Sequence, residues 1–244
     1  MSDPTPIAAP GPIPHPVVHV DRKRLDLIKG YVLHEQRTPG RPLIVTPTQT
    51  IGPFHPRALI RPGDEDLAAW EPGAPRAEGE PMVLCGRVLD VAGRPVPGAL
   101  VEVWHANRHG KYDHPADRYD APVDPAFKGF GRALTDAQGG WRFLSIRPQG
   151  YPNPGYDNWM RPPHVHFSVY AAGVMHRLIT QMYFPGEALN DIDPILNSIE
   201  DLAARATLIA RDAGHEDTAS GRACVFEFDI VLRGELETPF QLEA

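Results

Sequence analysis

The sequence predicts an all-β protein, in which two antiparallel sheets form a sandwich with one covering helix and an extended N-terminal arm. About seven short runs of β-branched and aromatic residues alternate with turn signals, which is typical of this architecture. The 28 prolines and 22 glycines fall between those runs without forming a repeat, so they indicate loops more than disorder. With 244 residues and 42% hydrophobic content, the chain can bury a sizeable core.

The N-terminal part of the chain predicts little regular structure. Residues 1–20 form a proline-rich arm that cannot fold alone and is either disordered or laid along a partner subunit. Residues 21–80 are expected to hold a docking segment and loops, in which residues 21–36 form either a short helix or an extended stretch, and residues 61–80 a polar surface excursion. The β-sandwich domain is expected to occupy residues 81–244.

The expected strands of the sandwich alternate with short turns rich in Gly, Pro and Asp. Turn residues at 92–98 and 136–140 each separate two strands. The strands are expected at residues 82–90, 99–105, 131–135, 141–146, 163–170, 176–184 and 222–232.

One helix is predicted, from about Asn197 or Ser198 to Asp212. It begins with a capping candidate and two acidic residues, carries apolar residues at helical spacing, and reaches a stop at Gly214. We expect this helix to cover an open face of the sandwich.

Composition and charge exclude several classes of function. The net charge of −7 and the lack of a basic stripe argue against nucleic acid or an anionic membrane as the main partner. The N-terminus lacks the charged-then-apolar pattern of a signal peptide, so a cytoplasmic location is expected. Cys85 and Cys224 lie in apolar strand-like runs, where buried and reduced thiols are expected.

The stretch 157–167 contains the strongest chemical signal. Pro162 and Pro163 stop any helix, and the following residues alternate as in a strand. His164 and His166 therefore project from the same face, where two imidazoles can share a metal ion. The alternative is that one histidine is a hydrogen-bonded core residue and its neighbour is exposed.

Other ligands are needed to complete a metal site. A cupin-like site would need a Glu shortly after His166, and none is present; a zinc finger is excluded because the chain has only two cysteines. His176 remains a possible third ligand. Tyr151 lies thirteen residues before His164, and phenolate is a hard anionic donor that suits Fe(III), although a lone Tyr beside Pro is more often a packing residue.

Further motifs surround these residues. They are Gly86-Arg87-Val88, Pro95-Val96-Pro97-Gly98-Ala99, Val101-Glu102-Val103-Trp104-His105, Gly150-Tyr151-Pro152, Arg161-Pro162-Pro163-His164-Val165-His166-Phe167 and Thr180-Gln181-Met182-Tyr183-Phe184. Together they resemble the intradiol ring-cleaving dioxygenase family over roughly residues 22–240. Within that family, residues 228–234 and the stretch around Tyr31 resemble the β subunits of protocatechuate 3,4-dioxygenases more than the catechol-cleaving members.

The resemblance implies a set of site residues. Its metal ligands for one non-haem Fe(III) are Tyr112, Tyr151, His164 and His166. Tyr151 matches the tyrosine that leaves the metal when substrate binds, and Arg161 and Gln181 match residues beside the substrate ring. Tyr31, Ile195 and Asn153 match positions at the substrate pocket. Tyr119 and Tyr156 are nearby alternatives that we interpret as structural.

The resemblance also implies a reaction, which is O2-dependent intradiol cleavage of a catechol ring to a cis,cis-muconate. Protocatechuate, giving 3-carboxy-cis,cis-muconate, is the favoured substrate. Asn153 stands where the β subunits typically have Trp, and His105 stands where Gln is usual, so other substituted catechols and hydroxyquinol stay open. A homologous α subunit in a larger oligomer, or a homo-oligomer, is the implied assembly.

A second hypothesis is a non-catalytic sandwich subunit or binding module. The stretch from Gly86 to Trp104 also resembles small sandwich modules that only bind or support partners. The family's α subunits share the fold but lack the complete ligand set. Because both tyrosines and both histidines are present here, the catalytic hypothesis is favoured.

Overall fold

The computed structural model describes residues 60–153, 159–172, 177–233 and 236–239, all within one compact unit, His55–Leu242. The predicted arm and most of the predicted docking segment lie outside the described residues. Tyr31, Tyr156 and His176 also lie outside them.

The described residues form eleven strands, which agree with the predicted strand positions to within a few residues. They are β1 (Pro81–Leu89), β2 (Leu100–Trp104), β3 (Phe130–Leu134), β4 (Gly140–Ile146), β5 (Tyr151–Pro152), β6 (Met160–Arg161), β7 (His164–Tyr170), β8 (Leu178–Tyr183), β9 (Arg211–Thr218), β10 (Gly221–Glu227) and β11 (Ile230–Val231). The short β5 and β6 and the whole of β9 were not predicted.

Two main sheets carry these strands. In the first, β1 is central: it pairs antiparallel with β4 and parallel with β10 and β11, and β9 pairs antiparallel with β10. The second sheet has the order β3-β2-β7-β8 and is antiparallel throughout. β5 and β6 form a separate two-stranded antiparallel ladder.

The core lies between the two main sheets. Phe167 of β7 packs against Trp141 of β4, with ring centroids 5.2 Å apart, and against Phe228 at 5.1 Å. Val165 and Val169 point to the same side and are fully buried. Burial of each such side chain contributes about 1.5–3 kcal/mol, so this face of β7 is fixed by packing. The predicted two-sheet sandwich is confirmed, and the alternate residues of β7 project from the other face.

The predicted helix over residues 197–212 is wrong. Two short helices, α1 (Pro194–Asn197) and α2 (Leu202–Ala206), occupy part of this region. The predicted stop, Gly214, lies inside β9 with φ +86°, beside a register shift in the β9–β10 ladder, so it acts as a bulge glycine. No helix among the described residues is long and apolar enough to cross a membrane.

Side-chain caps explain why two short helices form in place of the single predicted one. Asp193 Oδ1 accepts a hydrogen bond from Ile195 N at 2.8 Å, and Asp201 accepts backbone hydrogen bonds in the first turn of α2. Each aspartate therefore begins a helix of its own. Beyond α2, the backbone N–H of Ala210 donates to the Tyr183 carbonyl at 2.9 Å, so pairing with β8 overrides the helical spacing of the apolar residues.

The segment 61–80 is only partly the polar excursion that the sequence predicts. Leu67 and Ala68 are fully buried in the core. The Leu67 N–H donates to the Leu144 carbonyl at 2.8 Å, which joins the segment to β4. The prediction of an entirely surface segment is therefore wrong.

The two cysteines are free thiols, as predicted, but they are half-buried and not buried. Cys85 lies on β1 and Cys224 on β10, where alternate residues of this sheet face away from the core. Burial raises the pKa of the Cys85 thiol above its ordinary value. This thiol is therefore protonated and weakly nucleophilic at neutral pH.

Candidate metal centre

Strand β7 positions both candidate histidine ligands. It lies between β2 and β8, and His166 is paired with Trp104 on one side and Gln181 on the other. Because Val165 and Phe167 are held in the core, His164 and His166 project together from the opposite face, as predicted. Their ring centroids are 4.9 Å apart.

Each histidine ring is also oriented by a neighbour. The carbonyl of Pro162 lies 2.7 Å from His164 Nδ1 and can only accept, so Nδ1 carries the proton and Nε2 presents its lone pair. The ring of His166 stacks on Trp104, with centroids 4.9 Å apart and an interplanar angle of 3°. Both imidazoles are therefore held in one orientation.

The two candidate tyrosine ligands come from irregular parts of the chain. Tyr112 lies in the loop after β2, and Tyr151 begins β5, where it pairs with Arg161 of β6. The Tyr151 hydroxyl lies 3.0 Å from His164 Nε2 and 3.4 Å from the Tyr112 hydroxyl. The Tyr112 and His166 ring centroids are 6.4 Å apart. The structure thus brings together all four residues that the sequence predicts as ligands.

Two glycines permit this convergence. Gly110 has φ +75°, and a Cβ there would lie 2.6 Å from the Gly150 carbonyl oxygen and 3.1 Å from Tyr151 Cβ. A Cβ at Gly150 would lie 2.5 Å from the Arg161 carbonyl oxygen. Side chains at these positions would push the Tyr112 loop away from Tyr151, and β5 away from β6.

Burial keeps all four candidate ligands neutral. Burial lowers the pKa of His164 well below its ordinary value and that of His166 to about 3, so both rings are neutral with a free lone pair. Burial also raises the pKa of Tyr112 and Tyr151 above the ordinary value of 10, so both phenols stay protonated without a cation nearby. A trivalent ion would reverse that shift and ionise them.

The donor set fits a ferric ion. Two imidazole nitrogens and two phenol oxygens combine borderline and hard donors, and two tyrosinates offset most of a charge of three. Within the described ranges no cluster of three or more His, Cys, Asp and Glu could hold a metal ion. The mixed Tyr and His set is therefore the candidate.

Arg161 forms a buried polar network beside the four rings. Its Nη2 donates to Gln181 Oε1 at 2.8 Å, to Tyr183 Oη at 3.0 Å and to Asp193 Oδ2 at 2.9 Å. Tyr183 Oη in turn donates to Gln181 Oε1 at 2.9 Å. Gln181 thus reaches the site through Arg161, and it does not line the cavity described below.

Sequence reasoning missed Asp193 and Tyr183. Asp193 stands directly before a proline, which is a helix-start signal, but nothing in the local pattern indicates that its second oxygen binds an arginine 32 residues away. For Tyr183, the sequence indicates only a position in a strand.

A cavity of about 700 Å³ opens beside the candidate ligands. Of the predicted pocket residues, Asn153 and Ile195 line it, together with Tyr112, Tyr151 and Arg161. Trp104, His114, Asp117, Arg118, Tyr119, Asp120 and Pro152 complete its wall. The volume lies within the range of small-molecule binding sites.

His105 is buried but does not line that cavity. Its Nδ1 donates to the Ala106 carbonyl at 2.8 Å, and its Nε2 accepts from Ser145 Oγ at 2.8 Å. Burial lowers its pKa to about 4, so the ring is neutral. His105 stands where the resembling family usually has Gln, and both of its ring nitrogens are hydrogen-bonded inside the sandwich.

Comparison with known proteins gives consistent matches. A family model described as Dioxygenase (Dioxygenase_C) matches residues 52–234. The protocatechuate 3,4-dioxygenase beta chain of Burkholderia cepacia is 44% identical over 211 residues, covering 84% of this chain and 88% of that protein. The protocatechuate 3,4-dioxygenase alpha chain of Pseudomonas putida is 36% identical over 202 residues, covering 80% and 94%.

Solved structures support the fold. The crystal structure of 3-chlorocatechol 1,2-dioxygenase from Rhodococcus opacus 1CP superposes with a TM-score of 0.51 at 19% identity, covering 69% of this chain and 64% of that one. Hydroxyquinol 1,2-dioxygenase from Pseudomonas putida DLL-E4 gives a TM-score of 0.50 at 24% identity, covering 78% and 67%. At these identities the likeness concerns the sandwich alone.

Proposed function

Because the chain belongs to the intradiol ring-cleaving dioxygenases, which act on catechol-type rings, we propose that it cleaves protocatechuate at an iron site in the described cavity. The proposed ligands are Tyr112, Tyr151, His164 and His166. The observation that carries the proposal is the convergence of the Tyr151 hydroxyl on both His164 Nε2 and the Tyr112 hydroxyl. The product would be 3-carboxy-cis,cis-muconate.

The iron and the protein would divide the chemistry between them. The family uses iron, and a ferric ion held by these residues would chelate the catechol and make its ring reactive toward O2. The protein would exclude bulk water and keep the ring in one orientation. His164 and His166 would stay fixed, since both are held by the ladders of β7.

Tyr151 is the proposed proton acceptor. Its phenolate oxygen, ionised while iron is bound, would take one catechol proton as the substrate replaces it. The proton stays within the buried site, so this transfer does not change the total charge. Tyr112 would remain in place. Its loop is held by the Tyr112 N–H, which donates to Asp117 Oδ2 at 2.8 Å.

Arg161 is the proposed stabiliser of charge that develops on the ring. It is 4% exposed and lines the cavity, so its charge acts where little water screens it. Gln181 holds one edge of the guanidinium and assists by positioning it.

The preference for protocatechuate has two supports. The Burkholderia cepacia beta chain carries this substrate in its name, and the match to it covers 84% of this chain and 88% of that protein. Arg118 lines the cavity, and no described residue forms an ion pair with it, so it is able to meet the ring carboxylate. Asn153 and Ile195 would form the remaining wall, with Tyr31 as a further proposed substrate contact.

We propose that a homologous α-type subunit assembles with this chain in the cytoplasm, with a homo-oligomer as the alternative. Both beta and alpha chains of protocatechuate dioxygenases are homologous to it, which suggests a subunit assembly. Co-expression with a candidate α-type chain, followed by light scattering of the purified protein, gives the mass of the complex. That mass distinguishes an assembly with the α-type chain from a homo-oligomer.

The decisive experiment is to measure iron content and the visible spectrum before and after anaerobic addition of protocatechuate. We expect about one iron per chain and a red-brown tyrosinate band that shifts on binding. Rates with protocatechuate, catechol and hydroxyquinol then rank the substrates, and mass spectrometry identifies the muconate. A colourless, iron-free protein, even after co-expression with an α-type chain and iron supplementation, would instead favour a non-catalytic subunit.

A further inference from the structure

The ion pair between Arg161 and Asp193 is the most deeply buried one in the described part of the chain. The two side chains are 5% and 0% exposed, and every other ion pair recorded there has both side chains at least 12% exposed. Burying two charges is costly unless their geometry is good and their remaining polar atoms are satisfied. The polar atoms of this pair therefore need partners inside the protein.

Asp193 uses both of its carboxylate oxygens. Oδ2 accepts from Arg161 Nε at 3.2 Å and from Nη2 at 2.9 Å, while Oδ1 accepts from Ile195 N at 2.8 Å. One carboxylate thus joins the guanidinium to α1, the helix that brings Ile195 to the cavity wall.

The remaining edge of Arg161 faces no described hydrogen-bond partner. Gln181, Tyr183 and Asp193 take Nε and Nη2, whereas Nη1 has no hydrogen bond to any residue that the structure describes. An arginine lining a cavity with such an edge would bind carboxylates strongly if its charge were unbalanced.

Ring cleavage makes this charge important. Opening the ring between its two oxygenated carbons converts both carbons into carboxylates, so the product carries at least two more negative charges than a neutral catechol. Arg118 also lines the cavity, but it is exposed, so water screens its charge. An unbalanced charge on the buried Arg161 would be screened much less, and would hold the product and slow its release.

We infer that Asp193 is the positioning residue and built-in counter-ion of Arg161, and that it prevents the cavity from retaining carboxylate products. The inference rests on the proposed function, since it takes the cavity as the place where the ring is opened. It adds a role for Asp193 in product release that is separate from binding the metal or the substrate ring.

The test measures binding of benzoate and of cis,cis-muconate to the iron-loaded full chain by calorimetry. Asp193→Asn removes the charge and keeps one acceptor oxygen, which can cap α1 or accept from Arg161 but cannot do both. We expect both anions to bind at least about tenfold more tightly to this variant, with product inhibition increased to match. Glu187→Gln is the matched control, because it neutralises the partner of Arg147 in an ion pair outside the cavity, and its anion affinity should not change.

A second variant returns the charge by another route. Gln181 Oε1 lies 2.8 Å from Arg161 Nη2, so Gln181→Glu combined with Asp193→Asn places a carboxylate on the same guanidinium. We expect this double variant to bind anions within about threefold of the wild type, because the charge is again balanced.

Several results would overturn the inference. Unchanged or weaker anion binding in Asp193→Asn would show that the carboxylate only supports the fold. If that variant does not fold, the double variant decides: failure to fold, or anion binding tenfold tighter than in the wild type, would also overturn the inference.

Repeating the benzoate titration on the iron-free full chain separates this inference from the proposed function. Tighter binding to Asp193→Asn in a protein that cleaves no catechol would contradict the proposed function and support the counter-ion. Ring cleavage by the iron-loaded chain, with no change of anion binding in Asp193→Asn, would support the proposed function and contradict the counter-ion role of Asp193.

Discussion

The two halves of the candidate metal centre are built in different ways. His164 and His166 lie on β7, with a hydrogen-bonded strand on each side and a packed core beneath. Tyr112 lies in a loop, and Tyr151 lies on a strand of two residues whose position depends on close glycine contacts. The histidine half is therefore held by the sheet, and the tyrosine half is held by the fit between loops.

This difference matches what the proposed chemistry demands of each half. A ligand that leaves when substrate binds must move without disturbing the core, and the β5–β6 ladder can shift at little cost because it has only two pairs. His164 and His166, which would stay on the metal, are held in place by the hydrogen-bonded ladders on both sides of β7. Substitutions in each half should therefore have different consequences.

The largest effect is expected from the histidine half. His166→Ala removes a proposed ligand from a rigid strand that cannot supply another, so iron content and turnover should each fall more than about a hundredfold. Ser168→Ala, two residues further along the same face, is the control and should keep its iron at a stability cost of about 1 kcal/mol. Iron analysis and thermal unfolding measure both, and a His166→Ala protein with full iron would remove this residue from the ligand set.

A smaller effect is expected from a hydroxyl of the tyrosine half. Tyr151→Phe keeps the ring packing and loses the donor oxygen, so turnover should fall about 10–100-fold and the visible band should weaken, while some iron remains on the other ligands. Tyr119→Phe serves as the control, since Tyr119 lines the cavity but is interpreted as structural. If the visible band disappears in Tyr119→Phe and not in Tyr151→Phe, the tyrosine assignment is wrong.

The glycine contacts can be tested without touching a ligand. Gly110→Ala should weaken iron binding about tenfold, because the new Cβ would press on Gly150 and Tyr151. Gly186 has nearly the same φ, +77° against +75°, but its Cβ would meet nothing within 4 Å. Gly186→Ala should therefore cost only about 1–2 kcal/mol of backbone strain and leave iron affinity unchanged. If both variants lose iron equally, backbone strain is the cause, and the contact of the new Cβ with Gly150 and Tyr151 is not.

The smallest effect is expected from the stacked tryptophan. Trp104→Phe removes part of the stack on His166, which is worth about 0.5–1.5 kcal/mol, so iron affinity should fall only a few-fold. The strand should keep the imidazole in place. Stopped-flow mixing with a chelator measures the rate constant of iron release. If this rate rises as much in Trp104→Phe as in His166→Ala, then the indole ring of Trp104, and not the strand, fixes His166.

The same contrast explains what the sequence could predict. The histidines follow from alternation along one strand, a local pattern that packing on the opposite face enforces. Tyr112 and Tyr151 are 39 residues apart, and no local pattern indicates that their hydroxyls meet, so only family resemblance could suggest the pair. Asp193 was missed for a related reason, since its arginine partner belongs to a different element.

The failed helix prediction has a similar cause. Apolar residues between 199 and 209 have helical spacing, but sheet pairing at Ala210 and the caps at Asp193 and Asp201 decide the outcome. Local spacing could not show that β8, at the edge of the second sheet, is available to pair with this segment. The strands themselves were predictable because each has its own turn signals and alternation.

The pairing of β1 with β10 and β11 has a consequence for how the protein is made. These parallel ladders join residues near position 85 to residues near 227, so the first sheet cannot close until almost all of the described chain has left the ribosome. The antiparallel hairpin of β7 and β8, which carries both histidines, involves neighbours in sequence and can form earlier. During synthesis, the hairpin that bears the two imidazoles can therefore form before the first sheet closes over the other side of the core.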